Sequence, residues 1–161
     1  MTTFADGVFQ YGGQPVGSIP GLAGGMPMPP KTGKVLKVGT KQRYSTIAAA
    51  VAAATDGDII LLAPYQDYDE SGISTPTGVD HVTIIGMGNA PRATRWRNSA
   101  NAAGNFITVN GAGWVFTNIY FARATAGYCI NLNRTASVNA SESRILGCVF
   151  NGGSGHIVQT G

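Results

Sequence analysis

The feature that most constrains this chain is the return of similar apolar runs at nearly constant distance. Thr117-Asn118-Ile119-Tyr120-Phe121 aligns with Leu146-Gly147-Cys148-Val149-Phe150 at an offset of 29, which lays Ile119 over Cys148 and Phe121 over Phe150. Phe106-Ile107-Thr108-Val109 aligns with Cys129-Ile130-Asn131-Leu132 at 23, and Ile130 with Ile157 at 27. The runs are residues 59–63, 82–85, 106–109, 115–121, 128–132, 144–150 and 156–158. They are short, rich in β-branched and aromatic side chains, and bounded by Gly, Asn, Ser and Pro, which reads as strands between turns. A recurrence of this length, carrying two or three strands, is one coil of a solenoid. Each coil buries its inward side chains only by stacking on the next. Residues 59–161 are therefore expected to be the first coils of an all-β, parallel β-helix.

Composition agrees. Charged residues make up 12% of the chain, against about a quarter in ordinary soluble domains, and Gly reaches 23. A helical bundle needs Glu- and Lys-rich outer faces, whereas a turn-rich all-β chain does not.

Residues 31–58 carry a different pattern. Lys34-Val35-Leu36-Lys37-Val38 alternates as a short strand. Tyr44 to Ala54 is built on Ala, the best helix former, with Ser45 as the expected N-cap. Ile47, Ala50, Val51 and Ala54 share one face at helical spacing. Asp56-Gly57-Asp58 ends the helix, so it is expected over 45–54.

Residues 1–30 hold seven Gly and five Pro, with Asp6 as the only charge. Pro removes backbone donors and Gly raises the entropy of ordering, so no self-contained core is expected. Yet the zone carries Phe4, Val8, Phe9, Tyr11, Val16, Ile19, Leu22, Met26 and Met28, unlike a polar disordered tail. These residues point to an extended arm laid on a partner protein, the other reading being a flexible apolar linker. Met1-Thr2-Thr3-Phe4-Ala5-Asp6 lacks the basic and apolar regions of a secretory leader. No apolar run approaches the ~20 residues that span a bilayer.

Tyr44-Ser45-Thr46-Ile47-Ala48-Ala49-Ala50, then Asp56-Gly57-Asp58, the strand Ile59-Ile60-Leu61-Leu62 and Ala63-Pro64 together resemble the opening of pectate-lyase-like right-handed β-helix proteins. Val82-Thr83-Ile84-Ile85-Gly86 is similar to a later coil of that family, and the resemblance spans roughly residues 44–161. Tyr65-Gln66-Asp67-Tyr68 stands where the family's turn usually has Gly. The resemblance implies a right-handed solenoid whose first coil is covered by the 45–54 helix, with Ser45, Ile47 and Val51 as its cap residues. It specifies fold far better than activity, because lyases, hydrolases, esterases and phage spikes share this opening. An apolar arm before a capped β-helix also resembles the layout of bacteriophage tailspikes, head fibres and capsid-decorating proteins. That layout implies virion-protein partners for the arm, a homotrimer, and a host glycan as a further ligand.

Candidate chemistry is sparse. Polysaccharide cleavage usually needs two carboxylates, and Glu142 is the only acid after residue 82. Glu142 with Arg144 reads as a solvated surface pair. Asp67, Asp69, Glu70 and Asp80 could be read as Ca²⁺ ligands, but they lack the spacing of a calcium loop and read better as a solvent-facing loop. His81 and His156 accompany no nucleophile elbow. Gly86-Met87-Gly88 and Gly111-Ala112-Gly113 open no helix and are read as turns. Cys129 and Cys148 form no metal-binding pattern and read as free thiols rather than a disulfide. No catalytic residue, metal or cofactor is expected.

Charge is uneven. Residues 1–81 carry five basic and seven acidic side chains, and residues 82–161 carry six Arg against Glu142. No aromatic-interleaved basic motif supports nucleic-acid binding. Exposed Tyr120, Trp96 and the Arg residues are expected to form a subunit contact, with Trp114 in the core or at an interface. The pattern stops after His156-Ile157-Val158-Gln159 with no capping element. The solenoid is therefore expected to continue in a longer protein or to meet a partner at that end. The functional expectation is a non-enzymatic structural component of a phage particle. The alternative is a polysaccharide-binding or depolymerising β-helix with its active site in further coils.

Overall fold

The structure is a computed structural model. It describes residues 33–99, 104–123, 128–135, 138–152 and 158–160, together with the backbone of Thr2–Thr3, Phe9–Tyr11 and Gln14–Pro15. The chain forms two compact units, Met1–Lys31 and Thr32–Gly161.

In the first unit, β1 (Thr2–Thr3), β2 (Phe9–Tyr11) and β3 (Gln14–Pro15) form an antiparallel sheet in the order β1-β2-β3. Thr3 pairs with Phe9, and Tyr11 with Gln14. The arm expected over 1–30 thus includes short antiparallel pairing. Pro15 is tolerated because β3 is an edge strand, where its missing N–H leaves no gap in the ladder. Phe4, Val8, Val16, Ile19, Leu22, Met26 and Met28 lie outside the described residues, as do the side chains of Phe9 and Tyr11.

The second unit is a parallel β-solenoid of three sheets. One sheet stacks β4 (Val35–Val38), β5 (Ile59–Leu62), β8 (Thr83–Gly86), β11 (Val115–Thr117) and β16 (Arg144–Leu146). The next stacks β6 (Gln66–Asp69), β9 (Thr94–Asn98), β12 (Tyr120–Arg123) and β17 (Val149–Gly152). The third stacks β7 (Ile73–Ser74), β10 (Ile107–Val109), β13 (Ile130–Leu132) and β18 (Val158–Thr160). Every pairing in these three sheets is parallel. A hairpin, β14 (Arg134–Thr135) with β15 (Val138–Asn139), lies between β13 and β16, before the last coil.

The register confirms two of the three sequence offsets. Thr117 pairs with Leu146 and Phe121 with Phe150, each 29 apart, and Ile107 pairs with Ile130 at 23. The third shifts by one, because Ile130 pairs with Val158, not with Ile157, which lies outside the described residues. Matching Ile to Ile by likeness had no means of seeing a turn that differs by one residue. The single runs expected at 115–121 and 144–150 each prove to be two strands. They are divided at Asn118 and Gly147, whose φ of 56° and 59° turn the chain from one sheet to the next.

Inward side chains stack in columns. Leu36, Ile60, Ile84, Phe116 and Ile145 occupy successive positions of the first sheet. Tyr68, Trp96, Phe121 and Phe150 do so in the second. The ring centroids of Phe121 and Phe150 are 5.0 Å apart at 6°, and those of Trp96 and Phe121 are 5.5 Å apart. Trp96, expected at a surface contact, is fully buried and donates its indole N–H to the Glu70 carbonyl at 2.9 Å. Tyr120 is also buried, beneath Arg92 and Arg95. Trp114 belongs to the core and donates to the Val79 carbonyl at 2.8 Å.

The helix α1 spans Ile47–Ala52, shorter than the expected 45–54. Its N-cap is Thr46 rather than Ser45. Thr46 is extended (φ −130°, ψ 151°), and its hydroxyl accepts the Ala49 N–H at 3.2 Å. Ile47, Ala50, Val51 and Ala54 are buried, as the periodicity required. Thr46→Ala should lower the unfolding free energy by about 1 kcal/mol in urea titrations followed by circular dichroism. Ser45→Ala, lacking that hydrogen bond, should leave it nearly unchanged.

Candidate interaction surfaces

The sheet alternation that builds the core also assigns each sheet an outward face, and the three faces differ in chemistry. On the second sheet, Asp67 and Asp69 of β6 pair laterally with Arg95 and Arg97 of β9. Arg95 and Arg97 lie 3.4 and 3.2 Å from the Asp67 carboxylate. The Arg92 and Arg95 guanidinium groups sit 5.4 and 6.0 Å from the Tyr120 ring centroid. This face is ionic, its Asp and Arg side chains paired across coils, with Arg97 Nε 3.7 Å from the Asp69 carboxylate and without a hydrogen bond. The expectation of a solvent-facing loop at Asp67 and Asp69 is corrected to a strand, because Tyr68 between them turns inward. Its hydroxyl donates to the Val38 and Ala63 carbonyls at 3.1 and 3.0 Å. Burial pushes the Tyr68 phenol up to about 12.

The third sheet turns Ser74, Thr108 and Asn131 outward, a neutral polar column. At its corner, Asn110 accepts from Asn133 at 2.9 Å and donates to the Thr75 carbonyl at 2.8 Å, so side-chain amides tie three coils together.

The first sheet is different. Its outward positions are Val35, Ile59, Thr83, Val115 and Arg144 in one column, and Lys37, Leu61, Ile85, Thr117 and Leu146 in the other. Val35 and Leu146, on the two outermost strands, are each 52% exposed, and Met87, just after β8, is 43% exposed. A shallow pocket of about 190 Å³ opens next to the columns, lined by Leu61, Ala63, Pro64 and Met87 among others. No acidic residue holds an outward position on this sheet. Sequence reasoning overlooked this surface, although unbroken apolar runs such as Ile59-Ile60-Leu61-Leu62 are the mark of a parallel strand buried on both faces.

The acidic residues serve the fold. Glu70 accepts the Ile47 and Ala48 N–H groups at 2.7 and 2.9 Å, so it holds the start of α1. Asp56 accepts the Asp80 N–H at 2.9 Å, and Asp80 accepts that of Ala112 at 2.7 Å, which links successive coils. Asp58 accepts the N–H groups of Lys34 and Thr55 at 2.6 and 2.8 Å. Asp69 accepts the Ser99 hydroxyl and N–H, which hold its carboxyl below the usual carboxylate range, with Arg97 adding to the effect. Glu142 is exposed in a left-handed conformation at φ 59°, and no ion pair joins it to Arg144 among the described residues. His81 is exposed, and His156 lies outside the described residues. Neither Cys129, which is buried, nor Cys148, which is half-buried, is in a disulfide. Burial pushes the Cys148 thiol up. Among the described residues, no cluster of three His, Cys, Asp or Glu could hold a metal ion, and no helix is long and apolar enough to cross a membrane.

These observations define a parallel β-solenoid whose outward surfaces are ionic, neutral polar and apolar. No protein-family model, curated protein or solved structure matches the chain.

Proposed function

We propose that this chain is a non-enzymatic structural component of a bacteriophage particle, with residues 1–30 as the anchoring arm and the solenoid as a rigid body. One observation carries the reading. Of the seven acidic residues in the described part, six accept backbone or hydroxyl hydrogen bonds or pair with Arg, and only Glu142 is left over. Polysaccharide cleavage of the common kind needs two carboxylates free to act on substrate, and among the described residues no such pair is left over. The apolar outward sheet favours a protein that packs on other proteins. In the same reading the solenoid is right-handed, as crossovers between parallel strands nearly always are. Helix α1 acts as the lid of its first coil, which its buried face and its packing on β4, β5 and β7 support.

The test uses phage particles purified from the producing strain on a density gradient. The chain should co-purify with them at a fixed stoichiometry. Deletion of residues 1–30 should leave the solenoid folded by circular dichroism and abolish incorporation. Absence from the particles overturns the structural reading, and undiminished incorporation of the deletion overturns the anchoring arm.

A further inference from the structure

We infer that the outward face of the first sheet, β4-β5-β8-β11-β16, is a docking site for one apolar segment of another polypeptide that carries carboxylates at both ends. The three sheets point to this one. The ionic face is neutralised by its own Asp–Arg pairs and the amide-hydroxyl face is suited to water, whereas this face presents Val35, Ile59, Leu61, Ile85, Val115 and Leu146. Parallel sheets are ordinarily covered on both sides, and among the described residues only the inner side is filled, by this unit's core.

Size and charge select the occupant. The five described strands, spaced about 4.8 Å apart with two outward residues on each, span about 20 Å along the stack and about 10 Å across it. That is the footprint of a single helix or strand, since a helix is about 10 Å across. Positive charge flanks the apolar positions of the described strands, with Lys37 on β4 and Arg144 on β16, both exposed and neither in an ion pair among the described residues. Two copies of this face would bring like charges together, so the face disfavours self-association. A segment with an acidic residue near each end, about 20 Å apart, meets both cations while its apolar middle covers Leu61 and Ile85.

The experiment places the photo-cross-linker p-benzoylphenylalanine at Ile85, or at Ser74 on the polar face as control, in the full chain within the producing cells. Mass spectrometry then identifies the cross-linked peptide. Ile85 should cross-link to another protein through an apolar peptide flanked by Asp or Glu, and Ser74 should not. Reversing both cations (K37E with R144E) should cut the Ile85 yield about tenfold or more with the thermal midpoint unchanged. A cross-link to a second copy of this chain, to its own residues 1–30 or to a peptide without flanking acids overturns the inference. So does no cross-link, or a yield indifferent to the reversal. A partner of the expected kind that is no particle component would sink the particle reading while leaving the docking face standing.

Discussion

Trp96→Ala should be among the most damaging single side-chain truncations in the solenoid, lowering its unfolding free energy by about 4 kcal/mol. Trp96 is fully buried, paired in register with Tyr68 on one side and Phe121 on the other. Its ring lies 6.1 Å from Phe106 and 5.5 Å from Phe121 between centroids, so truncation opens a cavity in the middle of the aromatic column. The interior cannot collapse to fill it, because the ring's neighbours hang from a hydrogen-bonded sheet. The loss also deprives the Glu70 carbonyl of the indole donor. The Glu70 carboxylate holds the start of α1, so slackness there passes to the helix. Trp96→Phe, which restores much of the ring but not the donor, should cost about 1–2 kcal/mol. Urea unfolding is the measurement, with the fluorescence of the remaining Trp114 as reporter. A loss below about 1 kcal/mol for the alanine variant would mean that the column is not the core's main support.

The same residue shows where the sequence was legible and where it was not. Coil length was readable because stacked runs must repeat in kind, and Phe121 over Phe150 and Ile107 over Ile130 emerged in the expected register. The strand β9, Thr94–Asn98, was missed because Thr-Arg-Trp-Arg-Asn has only one strongly apolar member. Its two Arg face outward to meet Asp67 and Asp69, and this lateral pairing across coils cannot be seen in either segment alone. The strand β6 was missed for the complementary reason. Its acids looked like a loop until Arg95 and Arg97 were beside them. Ser45 and Thr46 are both good capping types, and only the backbone conformation decides between them.

The candidate surface was half legible. The unbroken run Ile59-Ile60-Leu61-Leu62 carries the information that both faces of β5 are apolar, yet that run alone fits a strand buried in a core just as well. It becomes an outward surface only once the next three strands, β8, β11 and β16, show the same sheet continuing as Ile85, Val115 and Leu146, the first two half-buried and the last exposed. The acids held a comparable ambiguity. Their scarcity was visible from composition, but their employment in capping and coil-to-coil bonds was not, because the partners lie 22 to 30 residues away in every case but Thr55 with Asp58 and Ala112 with Asp80.

Asp58 carries the other large expected effect. Its carboxylate is buried, and it binds the Lys34 N–H at 2.6 Å, the Thr55 N–H at 2.8 Å and the Thr55 hydroxyl at 3.0 Å. It thereby joins the entry of β4, the turn after α1 and the entry of β5. Asp58→Ala leaves two N–H groups and a hydroxyl without their acceptor, at about 1–3 kcal/mol for each buried group left unpaired, so a total loss of about 4 kcal/mol is expected. Burial by itself would raise the Asp58 pKa, but the hydrogen bonds from Thr55 and Lys34, with the Lys34 charge, outweigh it and hold the carboxyl below its ordinary value. A carboxyl whose folded pKa is depressed stabilises the fold fully above its unfolded pKa, about 3.9, and that contribution is lost as pH falls through the lower folded value. The wild-type melting temperature should therefore drop as pH falls below about 4. Asp58→Asn fits the same space and cannot titrate, so it should be less stable at neutral pH and fall less steeply through the acid range. Some acid dependence should persist in it, because Asp69 is lowered as well by its bonds to Ser99. Melting temperatures of both proteins between about pH 2 and pH 7 decide the matter, and parallel acid limbs would show that the Asp58 carboxylate is not what titrates.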